Sequence, residues 1–131
     1  MTQLHQIYKC NKCGNIVQIL HNGNGSLVCC GEEMELQKEK VTDEGKEKHV
    51  PILESLPSMV CKGKDGIKVK IGSIPHPMSS DHYIEWIEIR TENKVGKRFL
   101  EADDLPEASF YLREEPKEIR CYCNIHGLWK C

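Results

Sequence analysis

Four cysteines crowded into residues 10–30 constrain this chain more than anything else in it. Cys10-Asn11-Lys12-Cys13 is a C-x2-C knuckle, and fifteen residues separate it from the adjacent pair Cys29-Cys30. So short a stretch cannot bury enough apolar surface to be stable alone, which makes the cysteines its natural staple. The whole chain carries eight cysteines in 131 residues. In an exported protein they would suggest disulfides, but Met1 to Tyr8 hold no apolar signal segment. A reducing, cytoplasmic setting is therefore expected, and in it metal ligation is the better explanation of the thiols. Two thiolates on a tight knuckle and two from a second loop make a tetrahedral S4 site, which suits zinc or a single iron. Spacing alone does not separate the two metals. Gly14 follows the knuckle, where a residue without a β-carbon lets backbone amides turn toward the sulfurs.

Hydrophobic residues at 39% and charged residues at 29% belong to a folded chain and not to a disordered one. A formal charge of −2 supplies no field that would hold nucleic acid or a membrane surface. Neither partner is expected, and an anionic ligand would need a local cluster of positive charge. No run approaches the ~18 apolar residues that span a bilayer.

Residues 1–38 read as short strands and turns around the cysteines, with Asn15 to Leu20 strand-like and Asn22-Gly23-Asn24-Gly25 a hairpin signal. Residues 39–48 are mostly charged and read as a solvated linker. From there the pattern changes to period two. Ile67 to Ile71 and Ala108 to Leu112 alternate cleanly, and Tyr83 to Ile89 and Glu118 to Cys123 are rich in strand formers. Turn residues recur between them, and no useful helical periodicity intervenes. Residues 49–131 are thus expected to form an antiparallel sandwich or barrel.

Histidines supply the second constellation. His49 precedes Val50-Pro51, His76 lies in a proline-flanked loop, His82 opens a strand, and His126 follows Cys123 by three residues. Each alone reads as an exposed loop residue. Cys123-x2-His126 is ligand spacing on one turn, however, and His76-x5-His82 brackets a turn between strand ends. Loops at one pole of a sandwich can converge on a point. His5 and His21 have no such setting.

The segments Glu47-Lys48-His49-Val50-Pro51, Gly72-Ser73-x2-His76-Pro77-Met78, His82-Tyr83-Ile84-Glu85-Trp86 and Cys123-Asn124-Ile125-His126-Gly127 resemble the superoxide reductase domain. The vicinal Cys29-Cys30, with Tyr8-Lys9-Cys10 and Cys30-Gly31, resembles the desulforedoxin module. Together they cover nearly the whole chain and match the two-iron, desulfoferrodoxin family. The resemblance implies a mainly β protein, a desulforedoxin-like module followed by an immunoglobulin-like β-sandwich, with two mononuclear irons per chain. It implies Cys10, Cys13, Cys29 and Cys30 as ligands of the first iron. For the second it implies His49, His76, His82 and His126 in a plane, with Cys123 on the axis and a sixth position open. Lys48 would draw superoxide toward that position, and Glu47 would occupy it in the oxidised state. The implied activity is one-electron reduction of superoxide to hydrogen peroxide without oxygen release, in a cytoplasmic homodimer served by a rubredoxin-like donor.

Three rivals stay open at this level: a pure electron carrier, a structural zinc protein, and a dismutase. Cys61, Cys121 and Cys131 belong to neither set. Cys121 reads as a small core residue, Cys61 as part of a surface insertion over Leu56 to Gly66, and Trp86 and Trp129 as core or dimer-contact residues.

Overall fold

The computed structural model describes residues 1–42, 45–56 and 65–131. The chain divides into two compact units, Met1–Lys38 and Glu39–Cys131. Cys61 and most of the expected insertion lie outside the described residues.

The first unit is built from very short strands: β1 (Ile7–Lys9), β2 (Ile16–Gln18), β3 (Val28–Cys29), β4 (Glu32–Glu33) and β5 (Glu35–Leu36). They form a three-stranded sheet in the order β2-β1-β5 and a separate β3-β4 pair. The Cys10–Asn15 turn joins β1 to β2, with the Cys10 amide donating to the Asn15 carbonyl at 2.8 Å. Asn22–Gly25 turns the chain as expected but makes no hairpin, because β2 pairs with β1 and β3 pairs with β4. Apolar burial is thin: Ile7, Ile19 and Cys10 are buried, while Leu4, Leu20, Val28 and Leu36 are exposed.

The second unit is a sandwich, seven-stranded among the described residues. A helical turn, α1 (Lys46–His49), leads into β6 (Pro51–Leu56), β7 (Asp65–Ile71), β8 (Ile84–Arg90), β9 (Val95–Phe99), β10 (Glu107–Leu112), β11 (Glu118–Cys123) and β12 (Gly127–Lys130). One sheet runs β10-β7-β6 and the other β12-β11-β8-β9. Between them Val69, Ile71, Ile84, Ile87, Ile89, Ile119, Cys121, Cys123 and Trp129 form the core. The alternating strands supply it, as period two requires. The stretch 39–48 is not wholly loose: Lys40 bridges in parallel to Trp129, and residues 46–49 form α1.

A bulge interrupts the pairing of β11 with β8. Cys121 pairs with Ile87 and Tyr122 with Trp86, but Cys123 pairs with Ile84, so Glu85 is the extra residue in the ladder. Such a residue reverses the facing of all that lies beyond it. Here it brings Ile84 and Cys123 to the same face at the end of the sheet, one strand step from His82. On the opposite face Glu88 and Arg120 are both buried and paired, with Arg120 Nε and Nη2 donating to Glu88 Oε1 at 3.0 and 2.6 Å.

Candidate metal centres

In the first unit the knuckle and the vicinal pair meet. The four sulfurs of Cys10, Cys13, Cys29 and Cys30 lie within 4.8 Å of one another. Cys13 and Cys29 are 3.5 Å apart, and Cys29 and Cys30 are 3.9 Å apart. Gly14 takes φ +85°, which closes the knuckle, and the Cys13 amide points at Cys10 Sγ at 3.5 Å. The amides of Cys13 and Lys12 pull Cys10 down to about 6. Hydrogen bonds with Cys13, Cys29 and Cys10 push Cys30 up to about 12. Left alone, the set would share protons among its sulfurs. A cation replaces those protons, and four convergent sulfurs form a donor set that fits one.

The second unit gathers its donors from five places at one pole. His49 ends α1, His76 lies in the β7–β8 loop, His82 stands two residues before β8, Cys123 is the last residue of β11, and His126 sits in the turn before β12. Register explains the convergence. Pro51 pairs with Ile71, and Cys123 pairs with both Ile84 and Gly127, so these ends share one side of the sandwich. Close backbone fit holds the first two loops together. Ile74 N and Ser73 Oγ both donate to the Glu47 carbonyl, at 2.9 and 3.2 Å. A β-carbon on Gly72, at φ +85°, would stand 2.4 Å from the Ile74 carbonyl and 2.7 Å from Lys48 Cα.

The four imidazoles close into a square. Centroid separations are 4.7 Å for His49–His76, 4.8 Å for His76–His82, 5.0 Å for His82–His126 and 4.8 Å for His126–His49. With Cys123 Sγ, the five donor atoms all lie within 4.8 Å of one another. Cys123 is fully buried on the core side. On the other side the rings line a cleft of ≈ 510 Å³, shared with Glu47 and Lys48 at its rim.

Hydrogen bonds define what the rings present. His49 Nδ1 contacts the Gly45 carbonyl at 2.8 Å and His76 Nδ1 the Pro77 carbonyl at 2.6 Å. A carbonyl only accepts, so each Nδ1 carries the proton and each Nε2 a lone pair. Those two Nε2 atoms face each other at 3.1 Å. Two lone pairs so close repel unless something positive lies between them. His82 Nε2 is likewise buried with no hydrogen-bond partner among the described residues. Burial holds His49 and His126 below the usual imidazole range and takes His76 to about 4, so these rings are neutral at pH 7. Burial also pushes the Cys123 thiol up, against the amides of His126 and Ile125. Neutral imidazoles, orphaned nitrogens and a buried sulfur fit a metal cation. Five donors exceed the four of a closed zinc tetrahedron, and the cleft leaves one face free.

The nine expected ligands are thus brought together in two sets. Glu47 and Lys48 reach the cleft but their side chains are exposed, and Glu47 is not in the five-donor cluster. Two residues that sequence reading left without a role at the site touch it. Trp129 stacks on His49 with centroids 4.5 Å apart and planes at 13°, and its Nε1 donates to the His126 carbonyl at 3.2 Å. Lys40 donates to the same carbonyl at 2.7 Å. Nothing distinguishes Lys40 inside a run of charges; only its pairing with β12 does.

Comparison with known proteins agrees with this arrangement. The desulfoferrodoxin family model matches residues 41–131, and the desulfoferrodoxin N-terminal domain model matches residues 2–37. A desulfoferrodoxin homolog of Archaeoglobus fulgidus and a desulfoferrodoxin of Nitratidesulfovibrio vulgaris are each 48% identical over 130 residues, 99% of this chain and 98% of theirs. Among solved structures, the superoxide reductase of Treponema pallidum aligns with a TM-score of 0.73 at 27% identity, covering 96% of this chain and 95% of that one.

Proposed function

The chain belongs to the desulfoferrodoxin family, and on that premise we propose that it is a superoxide reductase with a mononuclear iron in each unit. Cys10, Cys13, Cys29 and Cys30 would hold the first iron, and His49, His76, His82, His126 and Cys123 the second. The supporting observation is the closed square of imidazoles, backed by one buried sulfur and open to solvent on its other face. An iron held there supplies the single electron that, with two protons, turns superoxide into hydrogen peroxide.

The protein's own groups do the rest. Neutral rings leave the site net positive, which favours an incoming anion. Lys48 at the cleft rim adds a fixed ammonium that raises the encounter rate and can orient a proton-bearing water. Cys123 would hold the metal as a thiolate and supply electron density to it, as cysteine does in haem–thiolate enzymes. Glu47, which also lines the cleft, would offer a carboxylate to the oxidised metal. Electrons would come from a rubredoxin-like donor to a cytoplasmic homodimer. Among the described residues no helix is long and apolar enough to cross a membrane.

Product stoichiometry tests the reading. Anaerobically reduced protein is mixed with a known dose of superoxide, and peroxide and oxygen are assayed. One peroxide per superoxide, with no oxygen, is the expected result. Half as much peroxide with matching oxygen would make it a dismutase, and no consumption above background would leave an electron carrier or a zinc scaffold. Cys123→Ser should abolish activity, and Lys48→Ala should lower the second-order rate and flatten its salt dependence.

A further inference from the structure

We infer that Lys40 is a positioning residue of the second centre, bracing His126 and, through Trp129, His49, and setting a fixed positive charge behind them. This rests on the proposed iron at that centre. Its backbone is pinned beside β12: the Lys40 amide donates to Leu128 O at 2.9 Å, and the Lys130 amide donates to Lys40 O at 3.0 Å. From that anchor the side chain crosses the Trp129 ring, with Nζ 5.4 Å from its centroid. It ends on the His126 carbonyl, which also takes the Trp129 indole N–H. Trp129 in turn lies flat on His49 and is almost fully buried. Two of the four imidazoles are therefore held by one lysine, one through its backbone and one through a stacked ring. Outer groups of this kind set ligand orientation and tune a metal.

The charge has a consequence of its own. The ammonium stands 2.7 Å from the carbonyl of His126, whose ring is one of the five donors, and beside the indole that stacks on His49. A cation behind the donors opposes removal of an electron from a metal they hold. It also strengthens the lysine's contact with the indole face. Lys40 therefore favours the reduced form of the centre, whereas Lys48 acts on the substrate side.

The test uses full-length, iron-loaded protein and three forms: wild type, Lys40→Met, which keeps the stem and loses the charge, and Lys40→Arg, which keeps the charge. Iron content, the visible thiolate-to-iron band and the midpoint potential of the second centre are measured in each. Lys40→Met is expected to shift the equilibrium toward the oxidised form on the order of tenfold, equivalent to 59 mV for one electron, and to move the band. Lys40→Arg should stay near wild type in both. A fully loaded Lys40→Met with wild-type potential and band would overturn the inference. If Lys40→Met loses iron, Lys40→Arg decides: retention at wild-type potential supports the charged brace, and equal loss shows fit alone and overturns it. A wild type without iron at the second centre would instead sink the reading on which this rests.

Discussion

The two units solve the same problem, gathering soft donors around a cation, by opposite routes. In Met1–Lys38 the donors come from one short run, Cys10 to Cys30, and little else holds the unit together. In Glu39–Cys131 they come from five separate places between residues 49 and 126, and a packed core stands behind them. The first site makes its fold; the second is made by its fold. The difference follows from burial: strands of two or three residues cannot offset the entropy of ordering them.

The most severe test of this contrast is to remove both metals. Metal binding to a small site of this type is worth about 10–16 kcal/mol of folding free energy. The apo chain should lose amide protection across residues 7–36 and keep it in β7, β8 and β11, read by hydrogen exchange. Loss of protection in all of them together would mean that the sandwich also depends on its metal.

The reverse experiment weakens the core and spares the staple. Arg120→Met would take the guanidinium from the buried Glu88 and leave it the Lys97 ammonium at 3.2 Å. Breaking a buried pair from one side costs about 3–5 kcal/mol. The stability of the second unit should fall by less than that in denaturant titrations, because Lys97 stays beside Glu88, while the absorption of the first site stays unchanged. Replacing Glu88 and Arg120 together by apolar residues should recover most of the loss.

Two glycines carry the contrast to a smaller scale. Gly14 and Gly72 both sit at φ +85°, but a β-carbon on Gly14 meets nothing within 4 Å, whereas one on Gly72 meets backbone at 2.4 Å. Gly14→Ala should cost about 1–2 kcal/mol, the left-handed penalty alone. Gly72→Ala should exceed that and separate the Glu47–Lys48 turn from the Gly72–Ile74 loop. Thermal unfolding and iron retention at the second centre would show it.

The smallest expected effect is a pH slope confined to the second unit. Burial, with the neighbouring Glu118, raises Glu39 to about 7. Burial opposes ionisation of Glu118 too, but its bonds to Glu39 and Arg90, with the charge of Arg120, hold it at about 2. The folded chain thus keeps a proton on Glu39 that the unfolded chain releases near its ordinary value of 4.5. Stability contributed by that proton declines as pH rises from 4.5 to 7, and the cost is fully present above 7. Glu39→Gln should therefore be more stable than wild type at pH 8, and the gap should shrink toward pH 5, in denaturant titrations followed on the sandwich.

Much of this was legible in the chain, for a local reason. The knuckle and the vicinal pair are neighbours in sequence, so their joint role needs no fold to be seen. Strands β7, β8, β10 and β11 lie in the apolar runs, because a strand facing a core must alternate or be apolar throughout. Strands β6, β9 and β12 carry weaker patterns and were hidden, whereas β10, an edge strand too, alternates cleanly. Asn22–Gly25 carried a hairpin's residues without a hairpin's strands, since β2 pairs with β1 and β3 with β4 and not with each other. Residue types, ligand spacing and fold class could thus be read from the chain directly, because side-chain chemistry and period two are local properties. Three features could not: the square that five distant donors form over a buried sulfur, the bulge at Glu85 that brings Cys123 into line with Ile84, and the reach of Lys40 to His126. Those depend on strand register, which is settled by how whole faces pack and not by any one segment.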